Sequence, residues 1–293
     1  MSQTTNYPLS APVALRRTRI VLEAGPIHVT EFGPADGSPL VFLHGVLANA
    51  QLWLGVAQRL STNQRCLLLD LPLGAHAEAM AVGADLSPVG IAALVIAVLD
   101  ALGIAQAMLV GNDSGGALCQ LLIASHPERL RAVVLTSSDA YGTWLPLLFK
   151  PFEFAAFVPG LLYLIAQLLR WSAVQRSPLV FGWLSKRLPA PLAASFVAPL
   201  ARERWARRDL AKFLRGISPR LTLRAATRFS AFERPVLLLW STEDRFFRLS
   251  LAERLARDLP NAQLERVDDA YTFSPVDAPS RVAHAIQVFL ARV

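Results

Sequence analysis

The residues best able to do chemistry fall in three short clusters. Gly111-Asn112-Asp113-Ser114-Gly115-Gly116 joins an apolar run to an amphipathic one. Small residues two places before and two places after a central side chain permit a sharp strand-to-helix turn that pushes that side chain into the open. Aligning the glycines on this pattern puts Asp113 at the exposed point, because a shift by one would need Gly or Ala where Asn112 stands. A glycine-rich turn with an N-capping Asp has the same spelling. The second cluster is His44-Gly45-Val46, closing the run PLVFLHG. A turn there can aim the Val46 N–H into the same crevice as the Ser114 N–H, and two convergent donors make an oxyanion hole. In the third, WSTEDRFF from Trp240, Asp244 stands at a strand end, as a triad acid or as an exposed loop carboxylate. Asp139 also follows an apolar run. If these carboxyls converge, repulsion and desolvation raise at least one pKa, and a carboxyl pair sharing a proton can do acid–base work.

Alternating elements must position these clusters. RTRIVLEAG and PIHVTEFGP predict an opening hairpin around Ala24-Gly25-Pro26. PLVFLHG (39–45), RCLLLDLP (65–72), AQAMLVGN (105–112), RAVVLTSS (131–138) and PVLLLWS (235–241) are near-continuous apolar strands, as expected of a parallel sheet covered on both faces. Helices are expected over Asn49–Leu60, from Ser87-Pro88 onward (Ser87 capping, Pro88 in the first turn), over GGALCQLLIASH, near Leu249–Asp258 and from about Ser280 to Leu290. Short links between such elements imply right-handed crossovers and an α/β, doubly wound, mostly parallel sheet. From about Tyr141 to Phe232 the strand signal fades. FEFAAFVPGLLYLIAQLL, SPLVFGWLSKRL and LAASFVAPLARERWARRDLAKFL look helical. The layout is therefore a core, residues 1–140 and 234–293, with an inserted helical cap at 141–233.

Composition narrows the function classes. Of 293 residues 53% are apolar and 17% charged, which excludes disorder and supplies ample core. The net charge of +7 comes from one region: 142–233 holds 14 basic and 4 acidic residues, while the remainder is mildly acidic. An arginine-rich cap surface explains this without a nucleic-acid partner, for which no module motif appears. The charge-free stretch Phe154–Leu169 is 16 residues long and contains Pro-Gly, short of the roughly 20 a spanning helix needs. A buried cap helix is expected there, without stable membrane insertion. Cys66 and Cys119 lie in apolar runs as free thiols. The start, MSQTTNYPLSAPVALRR, lacks the pattern of a secretory leader, so a cytoplasmic location is expected. No cofactor is called for, and no ligand spacing supports a metal.

In the order of HG turn, elbow, cap and WxxxD strand end, the chain resembles the α/β-hydrolase superfamily from roughly Arg19 to the C-terminus. An Asp in the elbow makes it similar to the haloalkane dehalogenase and epoxide hydrolase branch. The resemblance implies the α/β-hydrolase fold, with Asp113 as a nucleophile forming an alkyl ester and Asp244 supporting a histidine that activates water. That histidine normally stands in Gly-His-Phe before the last helix. Aligned on Phe273 and Asp277, its position holds Thr272, which cannot act as a base near neutral pH. Halide-releasing relatives carry Trp after the nucleophile and Asn after the HG turn; here Ser114 and Val46 stand there. Epoxide hydrolases use cap tyrosines as acids, and Tyr163 is the tyrosine well inside this cap. Tyr141 is expected to face the pocket. Of the five histidines, His76 is the loop histidine nearest in sequence logic to the site, though a loop-bracing role suits it better.

Three functions follow as expectations. The first is an α/β-hydrolase-fold enzyme acting on a small lipophilic molecule through Asp113. The second is a lyase or isomerase with Asp113 as base and Asp139 or Tyr141 as the partnering acid. The third is a binding protein that keeps the pocket without the chemistry.

Overall fold

The computed structural model describes residues 15–293; the opening segment, on which the leader expectation rests, lies outside the described residues. Eight strands form one sheet: β1 (Arg16–Leu22), β2 (Gly25–Phe32), β3 (Ser38–Leu43), β4 (Gln64–Asp70), β5 (Ala107–Asp113), β6 (Leu130–Ser138), β7 (Val236–Ser241) and β8 (Ala262–Val267), in the order β1-β2-β4-β3-β5-β6-β7-β8. β1 and β2 are antiparallel and pair Leu22 with Gly25, so Gly25 and Pro26 belong to the strand and the turn falls one residue earlier than expected. β3 through β8 run parallel. The apolar runs explain the middle of this order, since every residue of β5 and β7 is buried. The β1 edge exposes Arg16, Arg17 and Arg19, charges that discourage pairing with another chain.

Helices α1 (Leu54–Leu60), α2 (Pro88–Ala101) and α3 (Ser114–Ser125) connect the strands. The first expected helix starts as a short 3-10 turn, Ala50–Trp53, whose Asn49 side chain accepts from the Gln51 N–H. Ser87 caps α2 through the Gly90 N–H and Pro88 takes the first turn. After β6 come α4 (Lys150–Ala155), α5 (Leu161–Leu168), α6 (Ser172–Gln175), α7 (Ala190–Arg202), α8 (Arg204–Gly216) and α9 (Pro219–Ala226). Then follow α10 (Leu249–Asp258), α11 (Ser274–Asp277) and α12 (Pro279–Leu290). α9 packs against α3, so the inserted segment rejoins the core before β7 begins.

Two expectations for the inserted segment fail. SPLVFGWLSKRL is a series of turns, not a helix. Its end is held from outside: Asp277 accepts hydrogen bonds from the Ser185 hydroxyl (2.6 Å) and from the Lys186 and Arg187 N–H groups (3.0 Å each), bonds that a continuing helix would not leave free. The charge-free stretch is not buried either. Leu162, Ala166 and Leu169 point inward, but Phe154, Phe157, Tyr163, Leu164 and Leu168 are exposed. Each large apolar side chain left in water forgoes roughly 1.5–3 kcal/mol of burial.

Chain order decides where a site can form. β4 lies on one side of β3 and β5 on the other, so the order reverses between β3 and β5. Crevices at the C-terminal ends of strands flanking such a reversal are where open α/β sheets bind ligands. Gly45-Val46 follows β3, and Asp113 ends β5.

Candidate active site

The turn from β5 into α3 is tight. Asp113 has φ 54° and ψ −128°, a conformation disfavoured for a non-glycine residue and worth of order 1–3 kcal/mol of strain. The turn closes because Gly111 and Gly115 have no side chain: a Cβ on Gly115 would lie 2.3 Å from the Leu43 carbonyl oxygen. The Asp113 carboxyl is thereby thrown toward the HG turn after β3. There Gly45 is required, since a Cβ would stand 2.1 Å from Asp113 Oδ2. His44 braces this turn. Its Nε2 accepts the Leu71 N–H at 2.9 Å, which leaves Nδ1–H to donate to the Gly45 carbonyl at 2.9 Å. Burial lowers the His44 pKa to about 4, so the ring is neutral and keeps this arrangement. Leu47, also at positive φ (53°), ties the turn to Leu73 through its N–H. Among the described residues the Val46 N–H has no hydrogen-bond acceptor.

Asp244, in the loop after β7, approaches from the other side. Its Oδ1 accepts the Phe246 and Phe247 N–H groups at 2.8 Å each and the Thr272 hydroxyl at 3.1 Å. Its Oδ2 is buried without a partner; the Ser137 hydroxyl lies near but donates no well-aligned bond. Asn112 fixes the Thr272 backbone from beneath, donating to its carbonyl at 2.8 Å and to Thr136 Oγ1 at 2.9 Å.

Residues 38–279 match the model of the alpha/beta hydrolase fold. The chain belongs to this family. Among curated relatives, a 2-hydroxy-6-oxononadienedioate/2-hydroxy-6-oxononatrienedioate hydrolase of Paraburkholderia phymatum is 28% identical over 83% of this chain and 84% of its own length. A 2-hydroxymuconate semialdehyde hydrolase of Pseudomonas putida is 29% identical over 67% of this chain and 66% of its own. Among solved structures, a haloalkane dehalogenase loop variant from Bradyrhizobium elkanii superposes with a TM-score of 0.77 at 17% identity, covering 94% of this chain and 97% of that one. The last likeness is one of fold.

In this α/β hydrolase the carboxyls of buried Asp113 and Asp139 and of half-buried Asp244 lie close enough to influence Asp113, and all three have raised pKa values. Desolvation is the first cause for Asp113, followed by the neighbouring Asp139 and, more weakly, Asp244; the Ser114 N–H opposes them. Asp139 is fully buried. Desolvation pushes it up to about 7, against hydrogen bonds from the Ser114 hydroxyl (3.2 Å) and the Leu145 N–H (2.9 Å) and the charge of Lys150. Burial likewise raises Asp244, tempered by its two backbone donors. The fold thus holds protons on Asp113 and Asp139 that an unfolded chain would release above about pH 4. This contribution to stability is complete in acid and is lost as pH rises through the folded values. Between pH 6 and 8 stability is therefore expected to fall, and the melting temperature with it, as Asp139 ionises. Asp139→Asn should flatten that slope in calorimetry; an unchanged slope would remove Asp139 as its source.

The cavity at Asp113 is small and apolar. Its volume is about 30 Å3, room for roughly two waters, and Asp113 shares the wall with Val46, Leu47, Phe149, Phe152, Phe181 and Leu184. Ligand pockets usually span roughly 300–1,000 Å3, so wall side chains from 145–152 and 180–184 must move aside for a substrate to enter. A larger open groove of about 1050 Å3 between β2, α1 and α7 does not include Asp113.

Several expected site residues are placed elsewhere. Tyr141 does not face the cavity: its hydroxyl donates to Asp258 at 2.7 Å, and the Arg254 guanidinium covers its ring at 3.7 Å. The positive φ of Tyr141 (53°) swings the side chain toward α10. Tyr163 is on the outer surface. Asp139 and Thr272 are buried behind the cavity wall rather than in it. His76 pairs with buried Asp209 of α8 at 3.3 Å and meets Trp205 edge-on, a loop brace. His28 bonds Glu78, His126 bonds Ser125, and His284 is exposed on α12. None reaches Asp113 among the described residues.

Proposed function

We propose that this α/β hydrolase is an enzyme acting on a small lipophilic substrate, with Asp113 as the attacking carboxylate. Asp113 is the ionisable residue of an otherwise apolar cavity wall, held there by a strained elbow. In the proposed step an Asp113 oxygen forms a C–O bond to an electrophilic carbon, and the leaving group takes the electron pair of the broken bond. The Ser114 N–H holds an Asp113 oxygen, and together with the Val46 N–H it would meet charge developing on that oxygen when the ester is cleaved. Thr272 stands at Asp244 where a histidine would activate water, so the ester formed on Asp113 is long-lived. Helices between 141 and 233, with the turns around Val180–Leu184, would form the cap over a core that includes the described residues 15–140 and 234–293. The relatives named above act on dienedioates or a semialdehyde by their names. A cavity with one carboxyl and no cation suits an uncharged substrate better than a dicarboxylate.

The coupling of Asp113 to Asp139 favours a second reading, in which Asp113 shuttles a proton and no ester forms. Intact-mass measurement after incubation with alkyl halides, epoxides and esters separates the two. A mass gain localised to Asp113 is expected; product release with no adduct trapped would replace nucleophilic attack by the acid–base role.

A further inference from the structure

We infer that the outer face of the cap is a docking surface for an anionic lipid bilayer. Phe154, Phe157, Tyr163, Leu164, Leu168 and Trp171 are each 48–70% exposed, along one continuous path from the end of α4 through α5 to the start of α6. No charged residue interrupts the run from Phe154 to Leu169. Scattered exposed apolar residues are ordinary; six large ones within the eighteen residues from Phe154 to Trp171 are a concentration that suits a contact surface.

Arginines border the patch. Beside it, between α4–α5 and α8, lies a groove of about 790 Å3 walled by Tyr163, Trp205, Arg204, Arg207, Arg208 and Arg215. The Arg207 guanidinium sits 5.1 Å above the Tyr163 ring and that of Arg215 sits 5.8 Å from the Phe157 ring. Cations and rings are therefore at one level, as at the boundary between headgroups and acyl chains. Three acids lie along this face: Glu153 is tied to Lys150 at 2.5 Å, Asp209 is buried against His76 and Arg208, and Glu203 is exposed beside Arg204, which leaves the cations in excess.

Charge selects the occupant. A second copy would set one arginine-rich face against another, whereas phosphate headgroups complement it. No helix of the described residues is long and apolar enough to cross a membrane, so the contact lies on the surface. This inference is independent of the chemistry assigned to Asp113.

Co-sedimentation of the full chain with vesicles of phosphatidylcholine alone, or mixed with phosphatidylglycerol, tests it. Binding is expected to the mixed vesicles and should weaken as salt rises. Two variants, Phe154→Ser/Phe157→Ser/Trp171→Ser and Arg204→Gln/Arg207→Gln, should each bind about tenfold or more weakly. The first should keep the parent melting curve, since the residues replaced are exposed. In the second Arg207 gives up a bond to the Leu200 carbonyl (2.6 Å), so Arg204→Gln alone, exposed and in no ion pair among the described residues, is measured beside it and should also bind more weakly. No binding to mixed vesicles, or equal binding to both kinds, would overturn the inference. Sedimentation showing a dimer that Trp171→Ser disperses, without vesicle binding, would assign the face to a second copy instead.

Discussion

Asp113→Asn is expected to abolish the mass gain on electrophiles and to lower any turnover by on the order of 10⁴-fold. The amide has nearly the shape of the carboxyl, so the packing of Oδ2 against Gly45 persists, while the negative charge and its lone-pair nucleophilicity are lost. The substitution also removes a buried carboxyl from the repulsive pair with Asp139. The variant should therefore be at least as stable as the parent above pH 7, by calorimetry, while inert in the mass assay. Loss of activity together with loss of folding would leave the cause mixed; unchanged melting isolates the chemistry. The rate of adduct formation by the parent should rise with pH as the carboxyl pair sheds its proton, because only the ionised form attacks. Undiminished adduct formation by Asp113→Asn would move the reacting group elsewhere.

The second large effect is expected from Thr272→His. Asp244 Oδ2 is buried and unpartnered, and Thr272 already reaches the same carboxylate. An imidazole there would donate one ring N–H to Asp244 and leave the other nitrogen to take a proton from water. The parent should give no more than about one product molecule per protein molecule with a substrate that alkylates Asp113, and the variant should turn over repeatedly. Thr272 is fully buried, so the larger ring strains the packing and the melting temperature should fall. Thr272→Ala serves as the companion. It removes the bond to Asp244 yet should leave the first, alkylating step within about tenfold of the parent, which mass spectrometry can time. If Thr272→His folds and still stalls after one equivalent, absence of a base is not what limits the parent.

Much of this architecture was legible in the chain itself. Runs such as PLVFL and VLLLW admit few readings: they are short, apolar on both faces and bounded by turn residues, which makes them inner parallel strands. The elbow was legible for the same kind of reason. Glycine spacing dictates which side chain a sharp turn expels, and that is a local property of Gly111, Asp113 and Gly115. Thr272, singled out by counting positions before the last helix, does bond Asp244 through its hydroxyl.

What the chain alone left open depended on contacts between distant residues. Nothing near Tyr141 in sequence announces Asp258, which draws its hydroxyl toward α10. Asp277 entered the sequence reading only as an alignment point, yet it collects the donors of 185–187 and turns an apparent helix into a fastened loop. Burial of the charge-free stretch was the reasonable expectation from composition, but burial needs a partner surface, and the core offers room for only one side of α5. Residue types and spacings determined the sheet, the elbow and the carboxyl at its tip. Only the packing of residues 145–152, α5 and the 177–188 turns over that sheet decided how small the cavity is, how far Asp113 and Asp139 are desolvated, and which apolar residues are left facing out, because desolvation and exposure belong to the assembled surface and not to any segment of it.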